Sequence, residues 1–245
     1  AAGKRHPILG NRGIRRALAM GVDRPLLASG IFGPGTVAPP GPMSQLLWIN
    51  SRDIHALPFD TVAAAALLDS LGWTRGEDGV RRLAGRRLTF DILVPGTSVA
   101  RRDLAQVLQQ AWKPLGVDVT ITAVDFPVFN QRLAEGAFDS YIGAWLDEPS
   151  PRGLADQWTR GGWGKLNYGR YDNPAFDRLF ARAILAGDTA SAGPLYRAAM
   201  DTLNADLARM RRINHTIELL PADQRRQAGP INIDILVVRP RKDLR

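Results

Sequence analysis

Cysteine is absent from the 245-residue sequence, and only three histidines are present. The lack of cysteine excludes disulfide bonds, thiolate metal sites and cysteine nucleophiles, and it leaves the redox compartment open. His6, His55 and His215 lie far apart and none is at helical ligand spacing from a carboxylate, so we predict no metal site and no cofactor. No apolar run is long enough to span a bilayer, and no signal segment opens the chain. Because the first residue is Ala rather than Met, we expect a processed chain or a fragment.

Lysine is also scarce, so arginine supplies nearly all of the positive charge behind a net charge of +8 and a pI near 10.5. A basic balance of this kind is compatible with nucleic-acid binding. The arginines are scattered along the chain, however, and no predicted helix carries them with interleaved aromatic residues. Because a binding footprint requires clustered charge, we interpret the balance as a surface bias and expect no nucleic-acid partner.

The stretch from Phe138 to Pro149 combines a strand pattern with candidate ligand-binding side chains. It alternates as one continuous strand as far as Trp145, and Asp147 and Glu148 follow before proline stops any ladder. Strand ends of this kind are typical of ligand sites in α/β proteins. The alternative is that Trp145 packs beneath a loop and Asp147 caps the next turn. The two adjacent carboxylates diverge on an extended chain, so they form no hydrolase pair, and we predict no enzyme activity.

The order of elements around this stretch predicts an α/β layer. Alternating residues predict strands over Arg87–Val94, Val117–Ile121 and from Phe138, separated by helices over Val99–Leu115 and from Asp125 to Gly136. This alternation implies crossover helices packed on a sheet. Cap and proline signals place further helices after Asn11, Asp23, Asp60, Asn173 and Gly193-Pro194. Residues 213–220 are predicted as a strand or a helix continuation, and residues 231–238 as a strand.

Several short motifs follow one another in a recognisable order. They are Arg15-Arg16-Ala17 with Asp23-Arg24, the Gly/Pro-rich loop from Gly33 to Pro42, Phe59-Asp60 through Leu67-Leu68 to Gly72-Trp73, Asp78-Gly79-Val80, Leu115-Gly116-Val117, Phe138-Asp139 with Trp145, and Asn167 with Tyr171 and Asn173-Pro174. Each motif is weak alone, but together they cover about residues 11–207 in order. In that order they resemble the family 5 extracellular solute-binding proteins, the peptide-binding receptors of ABC importers.

The resemblance implies one lobe of a two-lobed protein. The matching segments belong to the C-terminal lobe, so we expect a type II periplasmic-binding-protein-like α/β lobe with a mixed sheet flanked by helices. We divide the chain into an irregular lead-in (1–10), the C-terminal ligand-binding lobe (11–220), and a C-terminal strand with a basic tail (221–245). The other lobe, which closes the cleft in such proteins, has no counterpart in this sequence.

The resemblance also implies a function and a site. The chain would act as the substrate-binding component of an ABC importer and capture peptides or a related small solute. In the family, an aspartate just after the tryptophan at this strand end receives the peptide's α-amino group. The matching residue is Asp147, with Glu148 as the alternative acceptor, in a charge-assisted contact. The other predicted ligand-binding residues are Trp145, which would form an apolar wall, and Asn167, Tyr168 and Tyr171 in the next loop.

The expected partners are the solute and the membrane subunits of the importer. We expect a monomer in the periplasm or outside the cell, with a lipid anchor as one option. The alternative is a ligand-sensing lobe of a cytoplasmic transcriptional regulator, although the sequence contains no helix-turn-helix pattern. The identity of the solute stays open, because relatives in this family take di- and oligopeptides, nickel, haem or sugars.

Overall fold

A computed structural model describes residues 6–36, 38, 48–49, 57–146, 151–209, 218–219, 231–232 and 235–237. For residues 145–146 and all residues beyond 203 it describes the backbone alone. Within this part of the chain the helices are α1 (Arg12–Met20), α2 (Arg24–Phe32), α3 (Thr61–Ser70), α4 (Val99–Trp112), α5 (Phe126–Glu135), α6 (Leu154–Trp158), α7 (Pro174–Leu185) and α8 (Thr189–Arg209).

The strands are β1 (Thr74–Arg75), β2 (Arg81–Leu83), β3 (Arg86–Arg87), β4 (Thr89–Pro95), β5 (Asp118–Val124), β6 (Ser140–Ile142), β7 (Trp145–Leu146), β8 (Glu218–Leu219), β9 (Ile231–Asn232) and β10 (Ile235–Val237). Short 3-10 turns cover Lys113–Leu115, Pro151–Gly153 and Arg160–Gly162. The order β4, α4, β5, α5, β6 confirms the predicted alternation of strands and crossover helices.

The central sheet has the strand order β10-β6-β4-β5. Strands β5 and β6 both run parallel to β4, and β10 runs antiparallel to β6, so the sheet is mixed. Because β4 is covered on both faces, six consecutive residues from Phe90 to Pro95 are buried. Phe90, Ile92 and Val94 contribute to one hydrophobic cluster and Leu93 to another, which confirms the predicted alternation along this strand.

Local capping signals confirm the predicted starts of four helices. The side chains of Asn11, Asp23, Asp60 and Asn173 each accept a backbone hydrogen bond from the first turn of α1, α2, α3 and α7 respectively. These contacts satisfy amide groups that have no partner within their own helix. The predicted breaks are also present, since Gly72, Gly116 and Gly136 follow helical segments with φ values of +83, +80 and +71°.

The buried side chains form three hydrophobic clusters. The first cluster lies between helices α1 to α4 and one face of the central sheet and includes Leu18, Leu68, Ile92, Leu108 and Trp112. The second cluster joins α6, α7 and α8 with Ile49 and includes Trp158, Tyr171, Phe176, Phe180 and Tyr196. The third cluster consists of Leu93, Phe129, Leu133, Phe138 and Tyr141, with Val124 and Tyr168 packed against it.

The strand predicted over residues 138–145 is divided between two sheets. Strand β6 belongs to the central sheet, whereas β7 pairs with β9 in a second sheet of order β7-β9-β8. Trp145 pairs with Asn232, and Ile142 pairs with Ile235. Both pairs fit one antiparallel register, so β9 and β10 run back along β7 and β6 in the same alignment. Phe138 precedes β6 and contacts Tyr141 at 5.0 Å between ring centroids, so the alternation predicted for these two rings is wrong.

Two other predicted boundaries are corrected. Helix α8 begins at Thr189, five residues before Pro194, because Asp188 accepts a hydrogen bond from the Ser191 amide at 2.8 Å and caps the helix there. Helix α4 ends at Trp112, and the predicted last turn is a 3-10 turn over Lys113–Leu115 that contains Pro114.

The single strand predicted over residues 231–238 is present as β9 and β10, which belong to different sheets.

Candidate functional site

The carboxyl ends of the parallel strands β4, β5 and β6 meet at one edge of the central sheet. This is the edge at which open α/β sheets bind ligands. The loop after β4 is held in place there, because the Gly96 amide donates to the Val124 carbonyl at 2.7 Å and Arg102 donates to the Gly96 carbonyl. Strand β6 runs through Gly143 and Ala144 into β7 at the same edge.

Four rings form a row of contacts across this edge, which we call the aromatic row: Phe126, Phe129, Tyr141 and Tyr168. Successive ring centroids lie 6.2, 6.2 and 6.1 Å apart. Phe129 and Tyr141 are buried, whereas Phe126 is 48% exposed and Tyr168 is partly exposed. The row therefore presents an aromatic side chain to solvent at each end.

Tyr168 is among the residues predicted from the sequence, whereas Phe126 is not. The signal that could have revealed Phe126 was its position immediately after the carboxyl end of β5, ahead of Pro127. Residues just beyond the carboxyl ends of parallel strands lie at the edge where α/β sheets bind ligands. Burial raises the pKa of the Tyr168 phenol above its ordinary value, so this end of the row is a neutral hydroxyl-bearing ring at neutral pH.

The predicted residues at the end of β6 are only partly described. Trp145 lies in β7, where its backbone is the register partner of Asn232. Asp147 and Glu148 lie outside the described residues, so their contacts with a solute stay a prediction. Residues 1–5, in the predicted lead-in, and 238–245, in the predicted tail, also lie outside this part of the chain, and the domain boundaries stay a prediction as well.

Asn167 lies in the loop between α6 and α7 and is 1% exposed. Its Nδ2 donates to the Thr159 carbonyl at 2.9 Å and to the Tyr171 carbonyl at 3.0 Å, and its Oδ1 accepts from the Tyr171 amide at 2.8 Å. The side chain therefore forms hydrogen bonds with both the amide and the carbonyl of Tyr171. Both amide hydrogens are used in these contacts.

The two tyrosines of this loop pack into different clusters. The Tyr171 ring is 1% exposed and lies between Trp158 and Phe176 in the second cluster, at centroid distances of 6.1 and 5.3 Å. The Tyr168 ring makes an edge-to-face contact with Tyr141 in the third cluster. The loop therefore joins the helices α6 to α8 to the sheet edge through its own side chains.

Charged groups on this loop are arranged around Trp163. The guanidinium groups of Arg160 and Arg170 lie 4.9 and 5.6 Å from the indole centroid, within the range of cation–π contacts. Arg160 also forms an ion pair with Asp172 at 2.9 Å. Burial, followed by the nearby charge of Asp172, raises the pKa of Asp177 despite a hydrogen bond from the Arg160 amide. These contacts link charged residues within the loop and at the start of α7, and Tyr168 is the ring that the loop contributes to the aromatic row.

Aromatic side chains lie at this edge among the described residues, whereas the two carboxylates after β7 stay a prediction. Among the described residues, no group of three or more His, Cys, Asp or Glu side chains is placed to hold a metal ion. In the same part of the chain, every helix is too short or too polar to cross a membrane.

Comparison with known proteins identifies a family. The model for "Bacterial extracellular solute-binding proteins, family 5 Middle" matches residues 3–165. Protein XP55 of Streptomyces lividans is 28% identical over 199 residues, which cover 81% of this chain and 36% of that relative. The oligopeptide-binding protein AppA of Bacillus subtilis is 24% identical over 252 residues, which cover 98% of this chain and 44% of AppA. The chain therefore spans less than half the length of these relatives.

Solved structures agree on the fold. The structure of AppA from Bacillus subtilis in complex with a nonapeptide aligns with a TM-score of 0.74 at 20% identity, over 95% of this chain and 44% of AppA. NikZ from Campylobacter jejuni in complex with Ni(L-His) aligns with a TM-score of 0.72 at 19% identity, over 95% of this chain and 44% of NikZ. The predicted type II periplasmic-binding-protein-like lobe, a mixed sheet flanked by helices, is confirmed. With a family match over most of its length, the chain belongs to the family 5 bacterial extracellular solute-binding proteins.

Proposed function

We propose that this protein is the substrate-binding component of an ABC importer and that it captures peptides, or a related small solute, in a cleft closed by a second lobe. The observation that carries the proposal is the family match over residues 3–165. Peptides are the first solute to test, because several relatives are named as peptide-binding proteins, among them AppA of Bacillus subtilis and MppA of Escherichia coli. In this proposal the solute is bound and released without any bond being broken.

The proposed site lies at the carboxyl edge of the central sheet. Tyr168 and Trp145 provide apolar walls, and Asp147 accepts the α-amino group of the peptide, with Glu148 as the alternative acceptor. Asn167 and Tyr171 belong to the site as the residues that hold its loop, since their described contacts are with the protein itself. An ammonium–carboxylate contact of this kind is charge-assisted and stronger than a neutral hydrogen bond.

The cellular setting follows from the same proposal. The protein acts as a monomer in the periplasm or at the outer face of the cell, with or without a lipid anchor, and delivers its solute to the membrane subunits of the importer. The two lobes close around a solute that binds the closed state more tightly than the open state, and this difference in affinity selects the solute.

The test is calorimetric titration of the complete protein with a library of di-, tri- and oligopeptides. We expect Asp147→Asn to weaken the best peptide about 10- to 100-fold, because a hydrogen bond to a charged group contributes about 1.5–3 kcal/mol. Glu148→Gln is the matched control and leaves the affinity within about twofold. Recovery of the peptide intact, by mass spectrometry, is expected after binding.

A blocked peptide identifies the contact. N-acetylation of the best peptide should weaken its binding to the wild-type protein and should cause no further loss in the Asp147→Asn variant, because the two changes remove the same contact. If Glu148→Gln is the sensitive variant instead, the acceptor is Glu148. Wild-type protein that binds no member of the library, or that hydrolyses the peptides, would overturn the proposed function.

A further inference from the structure

The loop over residues 159–173 closes on itself through Asn167. The Asn167 carbonyl accepts from the Arg170 amide at 3.0 Å, in addition to the three side-chain hydrogen bonds to Thr159 and Tyr171. Arg170 has a φ of +48°, a value that non-glycine residues adopt only when their surroundings hold them there. The three residues from Tyr168 to Arg170 are therefore a tight tip whose two ends are joined by the Asn167 side chain.

The tip places one aromatic ring at the sheet edge. Tyr168 directly follows Asn167, and its amide donates to the Leu166 carbonyl at 2.8 Å. Its ring contacts Tyr141 edge to face and packs against the third cluster at its exposed margin. Trp163 supports the same frame, because its Nε1 donates to the Tyr171 carbonyl at 3.0 Å.

Direct contact between the Asn167 amide and a solute does not fit this arrangement. Both Nδ2 hydrogens are donated to backbone carbonyls, and the residue is 1% exposed. A solute that took either hydrogen would break one of these two contacts, and that loss would offset the free energy of the new hydrogen bond.

From these contacts we infer that Asn167 is a positioning residue, which holds Tyr168 at the end of the aromatic row so that its ring forms the wall for an apolar or aromatic side chain of the bound peptide. The identification of the solute as a peptide rests on the proposed function. The position of the Tyr168 ring rests on the loop geometry alone. Aromatic rings contact such side chains edge to face or offset-stacked, with energies beyond those of buried area alone.

The experiment is a double-mutant cycle on peptide affinity. In the complete protein, Tyr168→Ala should weaken a peptide with an aromatic side chain about tenfold, and Tyr168→Phe should leave the affinity nearly unchanged. Asn167→Ala should weaken the same peptide to a similar extent in the wild-type background and by less than about twofold in the Tyr168→Ala background, because it acts through that ring. Equal losses in both backgrounds would overturn the inference.

Asn173→Ala is the matched control. Asn173 lies in the same loop, and its Oδ1 accepts the amides of Ala175 and Phe176 at the start of α7. Its removal lowers the stability of the loop and helix without releasing Tyr168, so peptide affinity should stay within about twofold. A loss of affinity in Asn173→Ala equal to that in Asn167→Ala would mean that general loosening, rather than positioning, is responsible.

A ligand-free measurement keeps the inference separate from the proposed function. Fluorotyrosine labelling gives a fluorine resonance for each tyrosine, including the four of this chain, and Tyr168→Phe assigns the one of interest. We expect Asn167→Ala to move the Tyr168 resonance toward that of an exposed tyrosine, and Asn173→Ala to leave it in place. An unmoved resonance in Asn167→Ala would overturn the positioning role. A moved resonance in a protein that binds no peptide would leave that role intact and overturn only the proposed function.

Should Asn167→Ala fail to fold, Asn167→Asp serves the same purpose. The aspartate retains an acceptor for the Tyr171 amide but turns an oxygen toward the two carbonyls. Protonation of this carboxyl restores one donor. Peptide affinity, relative to wild type at each pH, should therefore rise as the pH is lowered, and a pH-independent ratio would contradict the inference.

Discussion

Arg81 joins several parts of the polypeptide through one buried guanidinium group. It lies in β2 with 2% of its surface exposed. Its Nε donates to the Leu115 carbonyl at 2.7 Å, and its two terminal nitrogens donate to the carbonyls of Trp73 and Ala65 and to the carboxylate of Asp69. The planar fork of arginine suits these divergent acceptors, which a lysine ammonium would not reach together.

We expect Arg81→Met to lower the free energy of unfolding by about 2–4 kcal/mol, because buried carbonyls lose their donors while the length of the side chain is kept. Arg81→Lys should recover little of this loss. Asp69→Asn, at the exposed end of the same ion pair, is the control and should cause a much smaller change. Urea denaturation measures all three, and a stability of Arg81→Met equal to that of Asp69→Asn would contradict the argument.

The Asp69 contact also predicts a pH dependence. The hydrogen bond from Arg81 lowers the pKa of Asp69 below its ordinary value. A depressed folded-state pKa contributes stability that is present above the unfolded-state pKa and is lost as the pH falls through the folded-state value. The stability difference between wild type and Asp69→Asn should therefore be complete at neutral pH and shrink below about pH 4. A difference that stays constant down to about pH 2.5 would show that the charge of Asp69 contributes nothing.

At the scale of elements, local signals predicted the helices better than the sheets. The starts of α1, α2, α3 and α7 depend on a capping side chain within three residues, so the sequence reveals them. The division of residues 138–146 into β6 and β7 depends on a partner segment that lies about ninety residues further along the chain. No local pattern carries that information, and the strand was therefore predicted as continuous.

The same distinction holds for the candidate site. The resemblance led to Asn167, Tyr168 and Tyr171, but their opposite orientations follow from how the loop closes, which spacing alone does not reveal. Phe126 was missed because helical periodicity accounts for an aromatic residue at a helix start without reference to its exposure. Outside the site, the contacts of Arg81 were not predictable for the same reason, because its partners come from segments up to 34 residues away.

At the scale of the whole molecule, the second cluster is a packing unit distinct from the sheet. Its rings form a series of contacts from Trp158 through Tyr171, Phe176 and Phe180 to Tyr196, with successive centroids 5.2 to 6.1 Å apart. The loop over residues 159–173 connects this series to the third cluster through Tyr171 and Tyr168. Separate clusters of this kind often open as separate cooperative units.

The separation of the second cluster from the sheet predicts that the two open independently. Phe180 is fully buried at the centre of the second cluster, so Phe180→Ala should remove about 3–5 kcal/mol of packing there. We expect amide exchange, followed by mass spectrometry, to accelerate strongly in α7 and α8 and much less in β4 and β5. Leu185→Ala, at the 84% exposed end of the same helix, should leave exchange unchanged. Equal acceleration in the helices and the central sheet would instead show that the lobe opens as one unit, because loss of the second cluster would then expose the sheet as well.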